Sequence, residues 1–171
     1  MKMLIFSLSL LFFFCCSKNQ EYNDLDEGDS VFFGLNDTIY LKTEFSECGE
    51  WGGSQEFMKI YSNENHSFLD YKKTKADCNK IDKKRGYPLQ NKEFDKIFKL
   101  NEKEKKSILR YIQRLIKLKS CEKLMANFGN FFSVTNSDST LLIKVFDNNE
   151  YNIESYNMLL KDLGITSKKR D

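Results

Sequence analysis

Residues 38–45 read TIYLKTEF, and this stretch decides the fold. Its side chains alternate between an apolar set and a mostly polar set: Ile39, Leu41, Thr43 and Phe45 against Tyr40, Lys42 and Glu44. Alternation with a period of two predicts a β-strand that buries one face. A strand of this kind requires neighbouring strands, so the sequence around it predicts a sheet.

The following segments supply those neighbours. Residues 55–61 and 67–75 are predicted as the second and third strands, and the turn-forming residues 62–65 separate them. Short turns between three strands predict an antiparallel meander. Residues 79–92 are basic and are expected to be irregular around Gly86-Tyr87-Pro88, and residues 94–100 form either a fourth strand or a short helical lead-in.

Two helices and a hairpin complete the pattern. Asn101 followed by Glu104 is a capping-box arrangement, and apolar residues then recur at helical spacing to about Ser120. Residues 131–135 and 140–146 predict a hairpin, and residues 153–163 predict a last helix ending at Gly164. The predicted fold class is α+β, with an antiparallel sheet made of the meander and the hairpin and two helices packed on one face.

Length and charge restrict the class of protein. The chain has 171 residues and a formal net charge of +2. Residues 37–166 are enough for one domain with a single core, and the basic residues 167–171 form a C-terminal tail. Because positive and negative charges nearly balance, we do not expect nucleic acid as the main partner.

Three cysteines lie within or after the predicted strands. Cys48 and Cys78 are the preferred disulfide pair because they lie at the ends of predicted neighbouring strands, which leaves Cys121 as the odd thiol. A zinc site made by these three cysteines and His66 is the alternative. The spacing lacks the paired ligands typical of zinc sites, so we expect no metal.

The loop Gly49-Glu50-Trp51-Gly52-Gly53 contains the only tryptophan. Trp51 is either displayed as a binding anchor or folded back on the sheet from a wide hairpin loop. The sequence favours the folded-back arrangement, and Trp51 remains a candidate binding residue. The loop lacks the Gly-Lys-Ser/Thr ending of a nucleotide-binding loop.

A second candidate surface is a basic stripe on the first helix. Its members recur three or four residues apart, opposite the apolar face: Lys103, Lys106, Arg110, Arg114 and Lys117. The stripe is either a solvated helix face or a surface for anionic lipid headgroups, lipopolysaccharide or an acidic partner.

Catalytic candidates are few. His66 is the only histidine, it lies in a predicted turn, and no G-x-S-x-G motif is present. A small hydrolase would have to combine His66 with Glu47 or Glu50. We predict no catalytic residues and no cofactor, and we keep this hydrolase as the alternative.

The N-terminus predicts export. Residues 1–15 combine a basic start with a short apolar run, which is typical of a secretory signal and too short to span a bilayer as a stable helix. The cysteines at its end resemble the lipobox of bacterial lipoproteins, although Phe13 and Cys15 stand where that pattern has Leu and a small residue. The resemblance implies cleavage before Cys16 and attachment of acyl chains such as palmitate to it, with Cys15 as the other possible site. Residues 16–36 then form an acidic tether.

The domain also resembles a set of uncharacterised Bacteroidetes lipoproteins. The resemblance rests on Glu47–Gly53, Tyr71–Thr74 with Asp77-Cys78, Gly129-Asn130 and Ser137–Leu141. It implies a lipid-anchored protein of the cell envelope, and it supplies no activity. We expect the location to be the outer membrane, on either its periplasmic or its surface face. Ser54 stands where similar sequences carry His, which weakens a metal or catalytic role for the loop.

Together these features predict a membrane-anchored envelope lipoprotein that acts as a non-catalytic binding or structural module. The bilayer is one expected partner through the N-terminal lipid, and another envelope protein or an anionic surface is the second. Besides the hydrolase, the alternative is an immunity or inhibitor protein, which requires a tight partner and no substrate.

Overall fold

A computed structural model describes residues 37–120, 129–147 and 150–165. The predicted signal peptide, Cys16, the tether, Cys121 and the C-terminal tail lie outside the described residues. The elements are, in chain order, β1 (Ile39–Glu44), β2 (Gln55–Asn63), β3 (His66–Ile81), β4 (Pro88–Lys99), α1 (Glu102–Ser120), β5 (Asn130–Asn136), β6 (Leu142–Asp147) and α2 (Glu150–Asp162).

The six strands form one antiparallel sheet in the order β4-β3-β2-β1-β5-β6. β1 is central: Leu41 lies opposite Met58 of β2 and opposite Val134 of β5. The meander β1 to β4 extends to one side of β1, and the β5–β6 hairpin extends to the other. The sequence prediction of an α+β fold from a meander and a hairpin is therefore confirmed, and residues 94–100 belong mainly to a fourth strand.

The core lies between one face of the sheet and the two helices. The alternation in residues 38–45 predicts its position correctly, because Ile39, Leu41, Thr43 and Phe45 are all buried. Ile108, Ile112 and Leu115 of α1 and Leu159 and Leu160 of α2 cover these strand residues. Burial of this apolar surface is the main source of stability, at about 25 cal/mol per Å².

The opposite face of the sheet carries stacked aromatic pairs. Tyr40 packs on Phe57 with ring centres 5.8 Å apart, and Tyr61 packs on Phe68 at 5.7 Å. Within the described ranges, no helix or strand covers this face. The pairing of the rings reduces the apolar area that water meets there.

The start of α1 and the end of α2 have the capping residues that the sequence predicts. The Asn101 side-chain oxygen accepts a hydrogen bond from the Glu104 N–H (3.0 Å), and the Glu104 carboxylate accepts one from the Asn101 N–H (2.8 Å). This confirms the capping box. After α2, Gly164 adopts a φ of +65°, and the Ile165 N–H bonds to the Leu160 carbonyl at 2.8 Å, which closes the helix.

The expectation of an irregular segment at residues 79–92 is wrong for residues 79–81 and 88–92, which belong to strands, and correct for residues 82–87, which form a turn. β3 pairs with β2 only as far as Lys73, but it continues to Ile81 and pairs there with β4 alone. Residues 74–92 thus form a two-stranded ribbon with a turn at its tip, which we call the arm. Both faces of the arm are largely exposed, so its strands have no buried face and need no alternation of apolar and polar residues. The sequence therefore lacks the pattern by which a half-buried strand is predicted.

A polar cluster that the sequence pattern did not predict lies inside the core. Glu56 on β2 is 1% exposed. Its Oε2 accepts hydrogen bonds from the hydroxyls of Tyr71 (2.6 Å) and Tyr156 (2.7 Å). Because Tyr156 belongs to α2, the carboxyl group of Glu56 joins the sheet to the last helix.

The buried tyrosines predict a loss of stability in alkaline solution. Burial raises the pKa of Tyr111 and, together with the nearby Glu56, raises that of Tyr156 well above the usual value near 10. Above pH 10 the unfolded chain therefore releases protons that the folded chain keeps. We expect stability to be unaffected by these groups below that pH and to fall above it, by up to about 1.4 kcal/mol per pH unit for each tyrosine.

The measurement is urea unfolding at a series of pH values, with phenolate absorbance recorded in parallel. Tyr156→Phe is the control, because it removes one titrating group and should reduce the slope. Ionisation of both tyrosines in the still-folded protein would contradict the prediction.

Candidate interaction surface

The loop between β1 and β2 displays its tryptophan. Gly49–Trp51 forms one turn of 3₁₀ helix, closed by a hydrogen bond from the Gly52 N–H to the Gly49 carbonyl (3.2 Å). The Cys48 N–H donates a second hydrogen bond, to the Gly52 carbonyl (2.9 Å), across the base of the loop. Trp51 at the end of this turn is 63% exposed. The expectation that it folds back on the sheet is therefore wrong. The backbone turns outward there because Gly49 and Gly52 take positive φ angles of +67° and +83°.

A disulfide fixes this loop to the arm. Cys48 is bonded to Cys78, with Cα atoms 5.3 Å apart, which confirms the predicted pair. The predicted placement on neighbouring strands is wrong, since Cys78 lies on β3 and β2 runs between β1 and β3. Because the two sulfur atoms are bonded to each other, neither cysteine is available as a zinc ligand.

Hydrogen bonds reinforce the same junction. The Glu47 carboxylate accepts a bond from the Ser54 N–H (2.6 Å), and the Ser54 hydroxyl accepts one from the Ala76 N–H of the arm (3.2 Å). The Gln90 side chain donates to the Gly53 carbonyl (3.1 Å). The Trp51 loop and the base of the arm therefore behave as one rigid unit.

Gly53 is the position in this unit that tolerates a side chain least. A Cβ atom there would collide with the Phe45 carbonyl oxygen and lie 2.9 Å from the Glu47 backbone nitrogen. Because the obstacles include backbone atoms, we expect Gly53→Ala to destabilise the protein by about 1–3 kcal/mol.

Gly49→Ala is the matched control for this change. A Cβ atom at Gly49 meets no described atom within 4 Å, so only its positive φ opposes the substitution. Thermal unfolding of both variants tests the prediction. A melting temperature for Gly53→Ala equal to that of the wild type would contradict it.

The tip of the arm combines positive charge with apolar side chains. Lys80 pairs with Asp77 (3.0 Å) and Arg85 with Asp82 (3.5 Å). Lys83 and Lys84 make no ion pair within the described part of the chain. Three apolar side chains nearby are exposed: Ile81, Tyr87 and Leu89. This surface was not among the predicted sites, although the run Lys83-Lys84-Arg85-Gly86-Tyr87 is visible in the sequence.

The structure places the predicted basic stripe on α1. Lys103, Lys106, Arg110 and Lys117 are exposed and Arg114 is half-buried. Lys106, Arg114 and Lys117 already have interactions of their own.

α1 starts just after β4, near the turn between β2 and β3, whereas the Trp51 loop precedes the opposite end of β2. Lys103 and Trp51 thus lie toward opposite ends of the sheet.

The residues considered for a hydrolase are also separated. His66 is exposed and lies opposite Asn63 at one end of β2, and its Nδ1 is 2.9 Å from the Glu64 carbonyl oxygen. Glu47 and Glu50 lie before the other end of β2. The structure does not bring His66 together with either carboxylate.

The described residues offer neither a metal-binding cluster nor a membrane-spanning helix. Residues 37–120, 129–147 and 150–165 contain no group of three or more His, Cys, Asp or Glu side chains that could hold a metal ion. No helix in these ranges is both long and apolar enough to cross a membrane. A scan against protein-family models finds no matching family, and a search of the curated proteins finds no match either.

Proposed function

We propose that the protein is an exported, lipid-anchored envelope protein whose single domain binds another envelope component without catalysing a reaction. The observation that carries this proposal is the exposed Trp51 on a loop held by a disulfide. An exposed tryptophan is costly in water and is a typical anchor of binding surfaces. A rigid loop also loses little entropy when it binds.

The disulfide supports export as well. Cystine bonds persist in secreted and envelope proteins and are rare in the reducing cytosol. The secretory signal in residues 1–15 and the cysteine at its end agree with such a location. We infer that Cys16 carries the lipid and that the chain is held at the outer membrane.

The lipid anchor is tested by metabolic labelling with a palmitate analogue. Cys16→Ser is expected to abolish labelling, and Cys15→Ser is the matched control that should retain it. Labelling that survives Cys16→Ser but not Cys15→Ser would move the site to Cys15. Absence of labelling in the wild-type protein would refute the anchor.

Binding through Trp51 is tested by photo-crosslinking in the native envelope. A benzophenone side chain replaces Trp51 in one variant and Met158 in the other, because Met158 on α2 is similarly exposed at 61%. We expect a specific adduct from position 51 and none from position 158. The same adducts from both positions, or none from either, would contradict a binding surface at the loop.

A further inference from the structure

We propose that the arm and the Trp51 loop dock together on the anionic surface of a lipid bilayer. This inference deepens the proposed function, on which it rests, by naming the partner of the Trp51 surface. The lipid at Cys16 would bring the domain to the membrane, and the arm would then orient it there.

Charge is the first argument. Residues 74–92 contain six Lys or Arg residues and two Asp residues, which gives the arm a formal charge of +4. Two of the basic residues, Lys80 and Arg85, are partly neutralised by aspartates. Lys83 and Lys84 at the tip have no acidic partner among the described residues, so both are available to anionic headgroups.

The apolar side chains are the second argument. Ile81 and Tyr87 are 52% and 61% exposed, and they lie on either side of the basic turn. Aromatic and aliphatic groups surrounded by lysines suit the boundary between headgroups and acyl chains, since lysine stems bury their methylenes there and keep the charge in water. The exposed Trp51, three residues from the disulfide, adds an indole to the same end of the molecule.

The shape of the arm favours a bilayer over a folded protein. A two-stranded ribbon ends in a narrow turn, whereas a stable protein interface takes roughly 800 Å² from each partner. A bilayer requires no matching pocket. The disulfide and the Gln90–Gly53 hydrogen bond hold the Trp51 loop to the arm, so little entropy is lost when both dock.

The length of chain before the domain permits this orientation. Residues 16–36 reach at most about 70 Å when fully extended. β3 spans most of the distance from the start of β1 to the tip of the arm, and its 16 residues measure roughly 50 Å. A lipid at Cys16 and the tip of the arm can therefore contact the same bilayer. A basic surface is a known kind of second contact beside a lipid anchor.

Trp51 reports the docking directly because it is the only tryptophan in the chain. The full-length lipidated protein is reconstituted in vesicles of phosphatidylcholine alone and of phosphatidylcholine mixed with phosphatidylglycerol. In the anionic vesicles we expect Trp51 emission to shift to shorter wavelength, to be quenched by brominated acyl chains, and to recover at high salt. In neutral vesicles we expect no shift.

Two double variants separate the arm from the helix stripe. Each lysine near an anionic surface strengthens binding about fivefold, so Lys83→Glu with Lys84→Glu should weaken docking at least ~20-fold and abolish the shift. The matched control, Lys103→Glu with Lys106→Glu, makes the same change in charge and should preserve it. Circular dichroism and thermal unfolding verify that both variants fold.

Several outcomes would overturn the proposal. Emission that stays unshifted on anionic vesicles while the protein remains anchored refutes docking and leaves the lipid anchor intact. An equal shift on neutral vesicles, a shift lost only in the helix variant, or a crosslink from position 51 to a protein instead of lipid would also refute it. If the protein carries no lipid, the proposed lipid anchor is wrong, but docking is still tested. The unlipidated protein is then added to preformed vesicles, and the Trp51 emission is measured in the same way.

Discussion

Replacing Glu56 with alanine is expected to lower the free energy of unfolding by about 3–5 kcal/mol. The carboxyl group accepts hydrogen bonds from Tyr71 and Tyr156, and its side chain is 1% exposed. Alanine would leave two buried hydroxyls without this acceptor and would open a cavity between the sheet and α2. Each unpaired buried hydroxyl alone costs roughly 1–3 kcal/mol. Urea unfolding followed by circular dichroism gives the free energy directly.

Two further variants separate the loss of hydrogen bonds from the cost of the cavity. Glu56→Gln keeps an acceptor oxygen at nearly the same volume, so we expect it to cost much less than alanine. Glu56→Leu combined with Tyr71→Phe and Tyr156→Phe removes every group of the hydrogen-bonded set and should recover part of the loss. A cost below about 1 kcal/mol for Glu56→Ala would show that these hydrogen bonds do not hold α2 to the sheet.

Glu56 also shows why the sequence predicts some of this fold and misses the rest. In residues 38–45 the buried positions are nearly all apolar, so the alternation reveals the strand and its inner face. In β2 a glutamate occupies an inner position, opposite Thr43. A charged residue in a strand normally indicates the solvent face, and its two tyrosine partners are 15 and 100 residues away in sequence. No local pattern connects them.

The surface that we propose for binding was predictable only in part. The glycines around Trp51 indicate an unusual loop, but contacts with the arm fix the position of that loop. Those contacts involve Cys78, Ala76 and Gln90, which lie in segments that the sequence leaves without an alternating pattern. The helix stripe, in contrast, follows from helical spacing alone. Its outward position was therefore readily predicted, although spacing says nothing about a partner.

Removal of the disulfide is expected to have the second large effect. Cys48 and Cys78 are 30 residues apart, and a loop of that length lowers the entropy of the unfolded chain by an amount worth about 3–4 kcal/mol. We expect Cys48→Ser combined with Cys78→Ser to lose that stability in urea unfolding, and reduction of the wild-type protein should reproduce the loss. If the double variant unfolds at the same urea concentration as the oxidised wild type, the cross-link does not stabilise the fold.

Loss of the disulfide is also expected to weaken binding, because the disulfide fixes the Trp51 loop. The disulfide at Cys48 holds the Trp51 loop to the arm. The sheet, in the order β4-β3-β2-β1-β5-β6, is held by backbone hydrogen bonds between strands, which do not require the disulfide. Under conditions where the double serine variant remains folded, amide hydrogen exchange should increase in residues 47–54 and 74–81 and stay unchanged in β1 and β5. The Trp51 emission shift on anionic vesicles should then weaken, because a loose loop pays more entropy to dock. If the emission shift keeps its full size in a variant whose loop has become mobile, then rigidity of the loop is not required for docking. The charge of the arm would then be the cause of docking.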